Sequence, residues 1–298
     1  MVSKIDDIQK KLFVFLSSIV FISYFLFDSY NSLNIQIYLL FFLVSIIGIP
    51  HGFFDFSIGK ILFKKYLRFW LPYFVITYML IFIVYFISWL FLPGVSLLIF
   101  LFLAAYHFGF EDYNYLRNKN EKYFNVSILI KGLIVVFTPI LFHFDDINYL
   151  FQLLIGYKLE GIEFTVFQKL LFAALSIFHI LFEKEKNFLH KLEGIIAFVN
   201  FVFLPPLLSF ILYFCFMHSI RHFIESIYIS GLLPDNFTVK KFLIFVTISS
   251  FIFSLISILL IQNIYEISIN ETIIKFIFII LACLTLPHMI FNMWPYKK

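Results

Sequence analysis

Imidazole is the side chain best suited to hold a first-row transition metal at neutral pH. In this chain it recurs in four short polar clusters set in apolar sequence: PHGFFD (Pro50–Asp55), HFGFED (His107–Asp112), HSIRHFIE (His218–Glu225) and PHMIFN (Pro287–Asn292). On a helix, His218 and His222 are four residues apart and share one face. That spacing lets two imidazoles reach one ion, as in H-E-x-x-H helices. A ligating imidazole usually passes its other ring proton to a carboxylate, carbonyl or water, which fixes its tautomer. Asp55 lies four residues after His51, Glu111 four after His107, Asn292 four after His288 and Glu225 three after His222, so each is spaced for that work. Arg221 and Glu225 are also four apart and could neutralise each other, and Asp112 adds a further acid beside Glu111. One such cluster would serve equally well as a packing hydrogen bond, a proton relay or a transport site. Four of them at one depth favour a metal. His143 and His190 fall at a segment end and in a loop, and His179 lacks a polar cluster, so these three are set aside.

The surrounding composition says what must position these clusters. Of 298 residues, 62% are hydrophobic and only 13% charged, with mean hydropathy +0.98. A water-soluble domain carries about 25% charged residues, so a bilayer is the solvent implied, and nucleic acid is not an implied partner. In lipid every backbone polar group must be bonded internally, which leaves helices or a closed barrel. The apolar runs are continuous, with no period-two alternation, so the expected fold is an all-α polytopic transmembrane helical bundle. A span takes about 20 residues, and about ten segments (8–10) qualify: 12–28, 35–50, 69–91, 95–116, 126–142, 164–182, 193–204, 206–230, 239–262 and 272–292. Pro50 is expected to break or kink the second. Pro205-Pro206 makes the seventh either a span or a re-entrant hairpin. Cys215 and Cys283 sit in apolar runs as packing residues. The 46 Phe residues, beside abundant Ile, Lys and Asn, read as genome bias. No repeat, soluble domain or linker interrupts residues 1–298, which are expected to form one membrane domain.

Lys and Arg mark the cytoplasmic loops. They gather at Lys4–Lys11, Lys60–Arg68, Arg117–Lys122, Lys184–Lys191, Lys240-Lys241 and Lys297-Lys298 and are nearly absent from the alternate loops. Both termini are therefore expected to be cytoplasmic. At about 1.5 Å per residue, His107 and His218 would lie about 18 Å, and His222 and His288 about 24 Å, below the outer edge of a core about 30 Å thick. His51 would sit near the inner end of its segment. The topology used none of these histidines, so their shared depth is independent support. Imidazole suits Zn, Cu, Fe and Ni, while Mg and Ca prefer oxygen. An all-histidine Fe(II) site with open positions could bind dioxygen, whereas zinc would leave hydrolysis as the chemistry; spacing alone favours iron only modestly.

These clusters resemble those of the Brp/Blh family of membrane beta-carotene dioxygenases of bacteria and archaea. The resemblance lies in GIPHGFFD (Gly48–Asp55), HFGFED (His107–Asp112), MHSIRHF (Met217–Phe223) and LPHM (Leu286–Met289), in matching order and spacing across most of the chain. It implies a polytopic enzyme of the prokaryotic cytoplasmic (inner) membrane. It further implies Fe(2+) held by His51, His107, His218 and His222. Asp55, Glu111, Asp112, Arg221, Glu225, His288 and Asn292 would support the metal or line the substrate pocket. The implied reaction is cleavage of the central double bond of beta-carotene by dioxygen to two retinals, the carotenoid entering laterally from membrane lipid and the product available to a rhodopsin. Phe53-Phe54 depart from the smaller residues expected after PHG and bear on pocket shape. An upright carotene has its central bond at the midplane, so ligands this deep require a tilted substrate or entry along the inner leaflet. A different histidine-rich membrane oxidase or desaturase would use two metals, but the chain lacks dense H-x-x-H-H patterns. A proton- or metal-coupled transporter would show flux without conversion, and no paired inverted repeat is visible.

Overall fold

The protein is described here by a computed structural model, which covers residues 2–27, 32–114, 126–183, 188–224 and 237–292. Glu225, the basic residues of 117–122, Lys184, Lys186, Lys297, Lys298 and the side chain of Phe54 lie outside the described residues. No strand occurs among the described residues. The helices are α1 (Val2–Leu26), α2 (Leu33–Leu43), α3 (Asp55–Phe63), α4 (Trp70–Phe91), α5 (Pro93–Asn114), α6 (Val126–Phe142), α7 (Phe144–Ile155), α8 (Val166–Phe182), α9 (Phe188–Phe203), α10 (Pro206–Ile211), α11 (Phe237–Tyr265) and α12 (Ile269–Asn292). Helix α8 opens on a capping box, Thr165 and Gln168 each satisfying the other's backbone N–H. Large apolar side chains are exposed along α1, α4, α8 and α11, as lipid-facing helices require.

Seven helical stretches among the described residues are long and apolar enough to cross a membrane, and eight if α6 and α7 together make one bent span. The described parts of the expected segments are helical, and several of these helices are too short to be counted alone. Helix α6 has 17 residues and turns by 102° into α7 at His143. Helices α8 and α9 have 17 and 16 residues. Helix α7 itself falls where the hydropathy reading had a loop. Its apolar side is interrupted by Asp145, Asp146 and Asn148, which hide it from a window average.

Two places depart from regular α-helix. Between α2 and α3 the chain forms a π-helical turn, Val44–Gly48, and then a 3₁₀ stretch, Ile49–Phe54. Pro50 therefore does not break the segment; it occupies the first turn of the 3₁₀ stretch, where its missing N–H leaves no bond unmade. After α10 a second π-helical stretch, Leu212–Ser219, leads into residues 220–224. Such π turns leave carbonyls poorly bonded within the helix, and here neighbouring side chains bond them. Ser250 of α11 donates to the Ser45 carbonyl at 2.9 Å, and Gln9 of α1 donates to the Phe216 carbonyl at 3.0 Å.

The chain divides into two compact units, each built from separated stretches. The first comprises residues 1–40 and 104–222, the second 41–103 and 223–298. In the first, α9 is the hub, packed against α1, α6, α8 and α10. In the second, α12 packs on α4, α3, α11 and the 3₁₀ stretch, over a core of Ile58, Phe74 and Phe291.

Candidate metal centre

In the first unit, α5 carries His107, Glu111 and Asp112 against the π stretch and following turn that carry His218, Arg221 and His222. Close approach begins with glycine. A Cβ on Gly109 would collide with the Ile128 carbonyl, and one on Gly132 with the Ala105 carbonyl. Helices α5 and α6 thus meet backbone to backbone on either side of His107, by the small-residue packing used within membranes. Phe108 adds an edge-on ring contact to His218, centroids 4.9 Å apart.

The imidazoles of His107 and His218 point Nε2 at Nε2, 3.1 Å apart, with ring centroids 4.8 Å apart and planes at 76°. Both residues are buried. Two nitrogens bound at about 2.1 Å to one ion, at angles of about 90–110°, lie about 3.0–3.4 Å apart. The pair therefore fits a shared cation as it stands. His222 places Nδ1 at 3.2 Å from Glu111 Oε2, which leaves Nε2 as the lone-pair nitrogen. Its ring is nearly parallel to that of His218, at 13° and 6.5 Å between centroids. Glu111 thus bonds the histidine of a neighbouring segment.

Arg221 stands beside this group, 2% exposed. Its Nη1 donates to Asp112 Oδ1 at 2.9 Å and its Nη2 to both oxygens of Glu193 at 2.7 Å. Tyr213 donates to the other Asp112 oxygen at 2.8 Å. The charged chain continues from Glu193. His190 Nδ1 lies 2.9 Å from Glu193 Oε1. Lys131 donates to His190 Nε2 at 3.0 Å and to Glu183 at 3.1 and 3.2 Å. His190 is buried in α9, not in a loop. Glu193, Lys131, Glu183 and Tyr213 were not singled out in the sequence, and His190 was set aside there. Glu193 had left a signal, an acid at the head of an apolar segment; the others had no spacing relation to the clusters. His143 bonds the Val202 carbonyl, and His179 lies beside Ser127.

In the second unit, His51 Nδ1 bonds the Gly48 carbonyl. Asp55 accepts from His288 Nδ1 at 2.7 Å, Tyr78 at 3.0 Å and Asn292 at 3.3 Å. Asn292 also bonds the His288 carbonyl at 3.0 Å, as its i+4 position suggests. Tyr78, on α4, gave no sign of this role in the sequence.

An all-helical, lipid-facing protein whose interior holds buried histidine–carboxylate clusters is a membrane protein with the makings of a metal centre. Residues 42–295 match the model of the family described as beta-carotene 15,15'-dioxygenase, and the chain belongs to that family. A beta-carotene 15,15'-dioxygenase from an uncultured marine bacterium (66A03) is 32% identical over 262 residues, covering 83% of this chain and 90% of that protein. No solved structure matches.

Proposed function

We propose that the chain cleaves beta-carotene, or a closely related carotenoid, at its central double bond with dioxygen, giving retinal, at an iron held by His51, His107, His218 and His222. Family membership supports the reaction. The observation that carries the metal is the opposed Nε2 pair of His107 and His218. His222 and His51 strengthen it, since each commits Nδ1 to an internal acceptor, as ligating imidazoles do. Iron, when bound, would supply the redox centre at which dioxygen becomes reactive toward the polyene. Four neutral imidazoles leave its charge uncompensated, so the buried carboxylates of Glu111 and Asp55 favour its retention.

The stoichiometry suits such an interior. One carotene and one dioxygen give two aldehydes, each oxygen atom ending in one product, with no external electron or proton consumed. The residues around the centre then need only orient the polyene, hold the imidazoles and exclude water. A desaturase would need a supply of electrons and protons instead. Substrate reaches the protein from lipid, in the inner membrane of a prokaryote, and retinal leaves for a consumer such as a rhodopsin. Expression in carotene-accumulating bacteria tests this: the cells should lose colour and accumulate retinal, and a His218→Ala form should do neither. Unchanged pigment with normally inserted protein would refute it.

A further inference from the structure

Helix α1 exposes many large apolar side chains, yet Asp6, Gln9, Lys10, Phe13 and Ser17 are buried. At spacings of three and four they form one stripe, and the helix packs on α9 and on the π stretch Leu212–Ser219. We propose that Gln9 is a positioning residue for the metal centre: its hydrogen bond to the Phe216 carbonyl holds the π register that aims His218 at His107. This rests on the iron reading above.

The backbone changes partners at this carbonyl. In an α-helix the Phe216 carbonyl would accept from the N–H of Ile220, four residues on. Here the Ile220 N–H bonds the Met217 carbonyl instead, and Gln9 Nε2 donates to the Phe216 carbonyl at 3.0 Å. Gln9 thus supplies the donor that the α register would have supplied, which offsets the cost of departing from it. Only the N–H side of an amide can meet a carbonyl, so the orientation of the Gln9 side chain is fixed by the same bond.

The grip also falls where the metal centre needs it. Asp112 accepts from Tyr213 at 2.8 Å and from Arg221 at 2.9 Å, so one carboxylate of α5 holds the stretch near both ends. Gln9 holds it between them, two residues before His218. His218 has Nε2 3.1 Å from that of His107, and the rings of Phe214 and His222 are nearly parallel to its own, at 16° and 13°. One residue of helix corresponds to a rotation of about 100°, so closing the wide turn to α would swing His218 and His222 relative to Tyr213 and out of this alignment. A glutamine that served only to dock α1 would need no particular backbone atom. This one meets the carbonyl at which the α pattern of bonds fails.

X-ray absorption on the iron-loaded protein, with iron retention against a chelator, tests the assignment in Gln9→Met, which keeps the length of the side chain and loses its donor. Phe13→Leu, on the same stripe, weakens the packing of α1 without touching that bond and serves as the control. Gln9→Met should lose iron about tenfold to a hundredfold faster than wild type and alter the imidazole shell around iron, in the number of nitrogens or in their distances. Phe13→Leu should lower the unfolding midpoint and leave the spectrum and the retention as in wild type. An unchanged spectrum and retention in Gln9→Met, or the same changes in Phe13→Leu, would overturn the proposal while leaving the iron reading intact. A wild type that holds no iron would overturn both. Should Gln9→Met fail to insert, Gln9→Asn, whose amide stops one carbon short of the carbonyl, is judged by the same two outcomes.

Discussion

At the scale of single residues, the Nδ1 partners decide which nitrogen each imidazole can offer a metal. His51 gives Nδ1 to a carbonyl, His222 to Glu111 and His288 to Asp55. Glu111→Gln should therefore keep the fold but weaken iron binding about tenfold to a hundredfold, read by equilibrium dialysis; unchanged affinity would mean the carboxylate does not support His222. Arg221 plays a different part. Removing it as Arg221→Met strands Asp112 and Glu193 in the interior, and the loss of stability should be about 3–5 kcal/mol, seen in detergent unfolding. Replacing Arg221, Asp112 and Glu193 together by neutral residues of similar size should recover most of that loss, and no recovery would contradict the charge argument. Spacing made the histidines and their acids legible in the sequence, but not their pairing. The i+4 rule matched Asn292 with His288 correctly. It gave no sign that Asp55 also bonds His288 or that Glu111 bonds His222, because those partners lie on segments far apart in the chain.

At the scale of elements, the centre depends on how closely helices approach and on where they stop being α-helical. Gly132→Ala would drive a methyl group into the Ala105 carbonyl and push α6 from α5 beside His107. We expect destabilisation of about 1–3 kcal/mol together with reduced iron occupancy, measured on the same preparation; a wild-type melting point and iron content would show that the crossing tolerates a side chain. Both π-helical turns directly precede segments bearing histidines, and each has a carbonyl bonded from a neighbouring helix. Gln9→Leu should remove one such bond at a cost of about 1 kcal/mol, detectable as a lower unfolding midpoint. The sequence announced an irregularity at Pro50 without its form, because proline is compatible with a kink and with the first turn of a 3₁₀ stretch alike. Nothing in residues 212–219 distinguishes π from α, since the stretch is stabilised by Gln9, some two hundred positions away.

At the scale of the whole molecule, composition was enough to establish an all-helical membrane protein, because a surface this poor in charge has only lipid to face. Span number was less legible: a hydropathy window registers apolar length, not the 102° turn between α6 and α7 or the brevity of α8 and α9. The division into two units was not legible at all, since each is assembled from stretches far apart in the chain. Function was legible through the order of the four clusters, and the family match over residues 42–295 agrees with that resemblance. The central claim is that this chain is an iron-dependent dioxygenase that cuts beta-carotene symmetrically. Its most direct test is a single turnover of purified, iron-loaded protein with beta-carotene under heavy-isotope dioxygen, the aldehydes being reduced at once to prevent exchange with water. The account predicts two retinals per carotene, each carrying one heavy oxygen. Products of unequal length, or label in only one of the two, would contradict it.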